Sequence, residues 1–171
     1  MADLLECLLQ IKGLAESLNR LSALAAQSAG RGGAAVAAVT QTAAGLASAE
    51  HGWHQAFSSA LPNRGFADDS PAWPACGTED PVVAFNRARR ATLEFLDLCS
   101  AADLSASATL GGLGRVTVAD IVAHMLANDT ERLGALRNDL SLFDAAPDGR
   151  LRQARFLDDG RRTTHDRPIG Y

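Results

Sequence analysis

The stretch that limits the fold most is residues 116–137, VTVADIVAHMLANDTERLGALR, whose apolar positions recur at helical and not at strand spacing. Thr117 stands just ahead of the run with Asp120 three residues on, so the pair predicts an N-cap and a capping box. Alternating steps of three and four from Val118 lead to Ile121, Met125, Asn128, Arg132 and Ala135. The predicted inner seam is therefore apolar for two turns and then interrupted by an amide and a guanidinium. That interruption is the first functional clue.

Three other runs share the helical period. Residues 3–28 place Leu4, Cys7, Ile11, Leu14, Leu18, Leu21 and Ala25 on one stripe, and Gly30, Gly32 and Gly33 then end the helix. Residues 34–60 do the same with Val36, Val39, Ala43, Leu46, Glu50, Trp53 and Phe57. Asp80 followed by Pro81 is an N-cap with proline at the first helical position, opening a third helix to about Ser100 with Val82, Phe85, Ala88, Thr92, Phe95 and Cys99 on its apolar face. Between the second and third helices, residues 61–79 carry Pro62, Pro71 and Pro74 and form a long loop. Residues 101–115 read as a connector turned by Gly111, Gly112 and Gly114. With 47% hydrophobic but only 5% aromatic residues, the composition suits closely approaching helices. The predicted fold is all-α, a four-helix bundle of residues 1–138. Residues 139–171 would be a C-terminal tail, partly ordered or packed on the bundle, with a short helix around Leu151, Phe156 and Leu157.

Several residues invite a chemical reading. Glu50 lies on a buried stripe, so it must be hydrogen-bonded, paired, metal-bound or protonated, unless the bundle flares there and admits water. His51 and His54 could present two metal ligands from one helix, or belong to an exposed face that binds nothing. Arg87, Arg89 and Arg90 could face an anion, although a solvated face paired with Glu94 is the plainer reading. Trp73 and Cys76 in the long loop would line a pocket mouth or simply tether the bundle. Cys76 has Glu79 and Asp80 as its nearby charges, which disfavour a thiolate. Gly30-Arg31-Gly32-Gly33-Ala34-Ala35 matches a dinucleotide fingerprint formally, but a helix precedes it where the fingerprint needs a strand.

A formal charge of −4 and a pI near 5.5 argue against nucleic acid or an anionic membrane as partner. No apolar run approaches the roughly 18 residues of a membrane span, and Asp3 and Glu6 stand where a signal peptide would be basic. Three widely spaced cysteines make neither a disulfide framework nor a zinc knuckle. A cytoplasmic protein is expected.

The segments DPVVAFNRARRATLEFLDLCSAADL, GRVTVADIVAHMLANDTERLGALR and LASAEHGWHQAF together resemble the DinB-like (DinB/YfiT) superfamily of metal-binding four-helix bundles. The resemblance spans residues 4–137 and is most specific in the last helix. Members typically hold a divalent metal with one histidine on the second helix and two, at i and i+4, on the fourth. Gly45, Asn128 and Arg132 fall at or near those three positions here, with Asp129 beside Asn128 as in the family's histidine-aspartate pair. Glycine offers no ligand atom, arginine repels a cation and asparagine alone binds transition metals poorly, so the resemblance implies that metal and cofactor are absent. Arg132 would then replace the ion, with Glu50 as counter-ion and Asn128 as a hydrogen-bonding neighbour. Glu50, Trp53, His124, Asn128 and Arg132 are the expected ligand-binding residues. The implied function is a small-molecule binding or protein-interaction module for a small anionic molecule, with scope for a homodimer through the alanine-rich helices. The alternative is a thiol-dependent transferase or isomerase, metal-independent or using a metal site displaced to His51, His54 and His124.

Overall fold

The second, third and last of the long helices start where the sequence supplies a cap or a turn. The computed structural model describes residues 4–64, 79–112 and 114–145. It contains α1 Leu4–Ser28, α2 Gly33–Ala60, α3 Pro81–Asp97, a single turn α4 Ala101–Leu104, strands β1 Ser107–Leu110 and β2 Gly114–Thr117, and α5 Val118–Ala145. The Asp80 carboxylate accepts the Val82 and Val83 amides at 2.8 and 3.2 Å, with Pro81 as the first helical residue. Ahead of α5, the Asp120 amide donates to Thr117 Oγ1 at 3.1 Å and the Thr117 amide donates to Asp120 Oδ2 at 2.8 Å, closing the predicted box. Between α1 and α2 the chain reverses through Gly32 at φ 95° and ψ 172°, a region essentially confined to glycine, where a side chain costs about 1–3 kcal/mol.

Cross-helix contacts fix the topology. Glu50 meets Arg89 and Thr92, His54 meets Thr92, and Phe57 stacks 5.4 Å from Phe95, so α2 and α3 run parallel. Gly13 packs on Leu126 while Leu21 shares a cluster with Leu133 and Leu136, so α1 and α5 are also parallel. The order of the four long helices is up, down, down, up. A two-stranded antiparallel hairpin, Ser107 opposite Thr117 and Leu110 opposite Gly114, leads into α5 and is tied to it by the Val118 amide donating to the Ala106 carbonyl at 2.9 Å.

Three boundaries differ from the sequence expectation. The fifth helix continues to Ala145, because Leu136 and Leu140 extend its buried stripe, so the expected break at 138/139 falls inside a helix. The connector 101–115 holds a helical turn and a hairpin. α3 stops at Asp97, where i→i+3 bonds from Leu98 to Phe95 and from Cys99 to Leu96 tighten the chain before Ser100 caps the next turn. Trp73, Cys76 and the expected short helix with Leu151, Phe156 and Leu157 lie outside the described residues. Among those described, no helix is long and apolar enough to cross a membrane.

The core falls into two apolar clusters. One gathers Cys7, Leu14, Phe57, Phe95, Ile121 and Met125, the other Leu21, Val39, Leu46, Phe85, Leu133 and Leu140. On every long helix the residues between the two sets include a buried polar one: Ser17, Glu50, Arg89 with Thr92, and Asp129. A polar layer divides the bundle across its middle.

Candidate functional site

Arg89 organises that layer. It sits one turn beyond Phe85 and one before Thr92, and its guanidinium, 1% exposed, lies over the Phe85 ring with Cζ 5.0 Å from the centroid. Nε donates to Glu50 Oε1 at 2.6 Å, Nη1 and Nη2 donate to Asp129 at 2.6 and 3.1 Å, and Nη1 lies 3.4 Å from the Leu14 carbonyl. Nη2 is also paired with Glu50 Oε1. One side chain thereby touches all four long helices. The expected solvated arginine face is corrected at this position. The expected Glu50–Arg132 pair is corrected with it, since the counter-ion of Glu50 is Arg89.

Thr92 and His54 extend the layer toward the α2–α3 seam. Thr92 Oγ1 donates to Glu50 Oε2 at 2.6 Å and lies 2.8 Å from His54 Nε2, which is itself 3.7 Å from Glu50 Oε2. Burial pushes the Glu50 carboxyl above its ordinary range, and the like charge of Asp129 adds to this, against the pull of Arg89 and Thr92. Burial works against the charge on Arg89, but the attraction of Glu50 and the bonds to Asp129 outweigh it and raise its pKa. His54 is lowered to about 4, first by burial and then by His51, with the Ala88 carbonyl opposing and Arg89 adding a little. Two acids thus share one base in a dry setting, with a neutral imidazole at the rim.

A second group lies on the α2–α5 edge. Arg132 Nε donates to Asn128 Oδ1 at 2.9 Å, and the Arg132 guanidinium lies so close over Gly45 that any side chain there would collide with Nη1. Gly45, Asn128 and Arg132 are therefore neighbours, drawn from both helices. Among the described residues the exposed Arg132 makes no ion pair and the buried Asn128 Nδ2 has no hydrogen-bond partner. His124, one turn before Asn128, is exposed on the same edge, close enough to Asp120 to help hold that carboxyl below its ordinary range after the Thr117 bonds have done most of the lowering. Trp53, half-buried, lines a groove of about 450 Å³ with Ala49, Gly52, Ala56, Ser59 and the hairpin tip at Leu110 and Gly111.

The five expected ligand residues thus divide between two places. Glu50 belongs to the interior layer; Asn128, Arg132 and His124 follow the α2–α5 edge, and Trp53 flanks the groove beside it. No family model, curated protein or solved structure matches the chain. A divalent cation does not suit the Gly45–Asn128–Arg132 group, because one position has no donor atom, another is a fixed cation, and the one amide oxygen already accepts from Arg132. His51 bonds Gln55 at 3.1 Å on the surface, His54 faces Thr92 and His124 stands on another helix. Among the described residues no three histidine, cysteine, aspartate or glutamate side chains gather closely enough for a metal ion.

The sequence reading put Arg89 on a solvated face and Asp129 only beside Asn128, and so missed that both are buried. Both had a signal: Arg89 is i+4 from Phe85 and i−3 from Thr92, and Asp129 is i+4 from Met125 and i−4 from Leu133.

Proposed function

We propose that the chain is a DinB-like bundle in which a guanidinium stands in the family's metal position, and that it serves as a small-molecule binding module holding an anionic group there. The observation that carries this reading is the meeting of Gly45, Asn128 and Arg132 at one point of the α2–α5 edge. The glycine leaves room for the guanidinium, the asparagine orients it through Nε, and both Nη groups remain available to a bidentate anion. The unpartnered Asn128 Nδ2 is a further donor beside the same spot.

Titration with acetate, followed by the Arg132 Nε–H resonance, tests the reading. A saturable shift is expected, lost in Arg132→Met, and weakened in Gly45→Ala, where the added methyl displaces the guanidinium. A resonance that does not move, or acetate binding that survives in Arg132→Met, would refute it.

A further inference from the structure

The groove beside Trp53 has no role in seating an anion, yet it begins next to that seat. Gly45, Ala49, Gly52 and Ala56 follow at i, i+4, i+7 and i+11 and so share one face of α2. The last three line the groove, and Gly45 carries the Arg132 guanidinium. From Gly45 to Ala56 the helix advances about 16 Å. Because α2 and α5 are antiparallel, passing along α2 from Gly45 toward Ala56 means passing along α5 from Arg132 to Asn128 and His124. One end of this strip is cationic. The other is apolar, with the Trp53 ring, Ala56 and Leu110 at the hairpin tip, and its volume of about 450 Å³ lies within the roughly 300–1,000 Å³ of ligand sites. A glycine in the middle of a helix is destabilising, and a side chain at Gly52 would meet nothing within 4 Å, so its absence leaves the floor of the groove open.

Resting on the anion-seat reading above, we infer that the ligand is an elongated amphiphilic carboxylate, its head held by Arg132 and Asn128 and its apolar body laid along Ala49, Gly52 and Trp53 to Leu110. The charge complementarity is specific in sign: Arg132 suits an acid and repels an amine of the same length. The body is apolar because most of the lining is alanine, glycine, leucine and an indole, with Ser59 and Gln55 as its polar members.

The experiment is a binding series of acetate, butanoate, hexanoate and octanoate, with octylamine as control. Binding is read by Trp53 fluorescence in a Trp73→Phe background and by the Arg132 Nε–H resonance. Affinity should rise about two- to fourfold per methylene through the series, and octylamine should bind at least tenfold more weakly than octanoate. Gly52→Leu fills the groove and replaces a poor helix former with a good one, so it should fold. It should abolish the length dependence and leave the acetate shift at Arg132 intact. A flat series with acetate still binding, or octanoate affinity unaltered by Gly52→Leu, would overturn the inference and leave the anion seat standing. Octanoate binding indifferent to Arg132→Met would instead remove the seat, and the inference with it.

Discussion

Thr92 has one hydroxyl proton, and its destination orders the groups around it. While Glu50 is ionised it can only accept, so its 2.6 Å contact draws the proton in preference to the Ala88 carbonyl at 3.2 Å, and the 2.8 Å contact is then filled by His54 Nε2–H. The neutral imidazole with hydrogen on Nε2 is thereby selected. A folded-state pKa of about 4 against an ordinary 6.5 has a definite linkage sign: between those values the unfolded chain binds a proton that the folded chain refuses. Stability should rise from pH 4 to pH 6.5 through this group and be lost as pH falls. Raised Glu50 acts the other way, since the folded chain keeps its proton longer than the unfolded one and stability falls as pH climbs above 4.5. Comparing urea unfolding of wild type and His54→Gln across pH 4–7 isolates the histidine: the difference in stability should vary with pH, and a constant difference would contradict the assignment. Nothing in the spacing of His54 distinguishes it from His51. Its burial comes from α3 packing over that side of α2, which a one-dimensional pattern does not contain.

Among the elements, α5 is the one most completely written in the sequence and also the one whose inner face was misread. Thr117 and Asp120 form the predicted box, and Thr117→Ala should cost about 1 kcal/mol, measurable by urea unfolding. A change below a few tenths would mean the start is held by the hairpin instead. The inner stripe agrees with expectation at Val118, Ile121 and Met125, then passes to Asp129, Leu133, Leu136 and Leu140 in place of Asn128, Arg132 and Ala135. A strict alternation of three and four assumes 3.5 residues per turn, whereas a straight helix has 3.6 and drifts by about 20° per heptad. Three full turns from Val118 span about 10.8 residues and so end nearer Asp129 than Asn128, which is where the stripe changes position. The 3.6-residue period places Asp129 in the core and leaves Asn128 half-buried and Arg132 exposed at the edge, where solutes can reach the guanidinium.

Over the whole molecule, the polar layer separates two apolar clusters, and it fixes how the four helices slide against one another. Arg89 can meet Glu50, Asp129 and the Leu14 carbonyl together only in one register. Its energetic value is another matter, since desolvating the charges offsets most of their attraction. Arg89→Met should lose about 3–5 kcal/mol by leaving two carboxylates facing each other in the core, while Glu50→Leu, Arg89→Met and Asp129→Leu together should recover all of it. Urea unfolding of both variants checks this; a single substitution costing under about 1 kcal/mol, or a triple no better than the single, would show that the layer is not a coupled unit. The sequence by itself determined the four long helices, their caps at Asp80 and Thr117, and the place of Glu50 on an inner stripe, because hydrophobic period and capping chemistry are local; that the bundle stays closed around Glu50 came from tertiary packing. It did not determine which cation Glu50 would face. Arg89 and Arg132 were both available, and only the parallel packing of α3 against α2, with the 3.6-residue period of α5, brought one guanidinium to the axis and left the other at the surface.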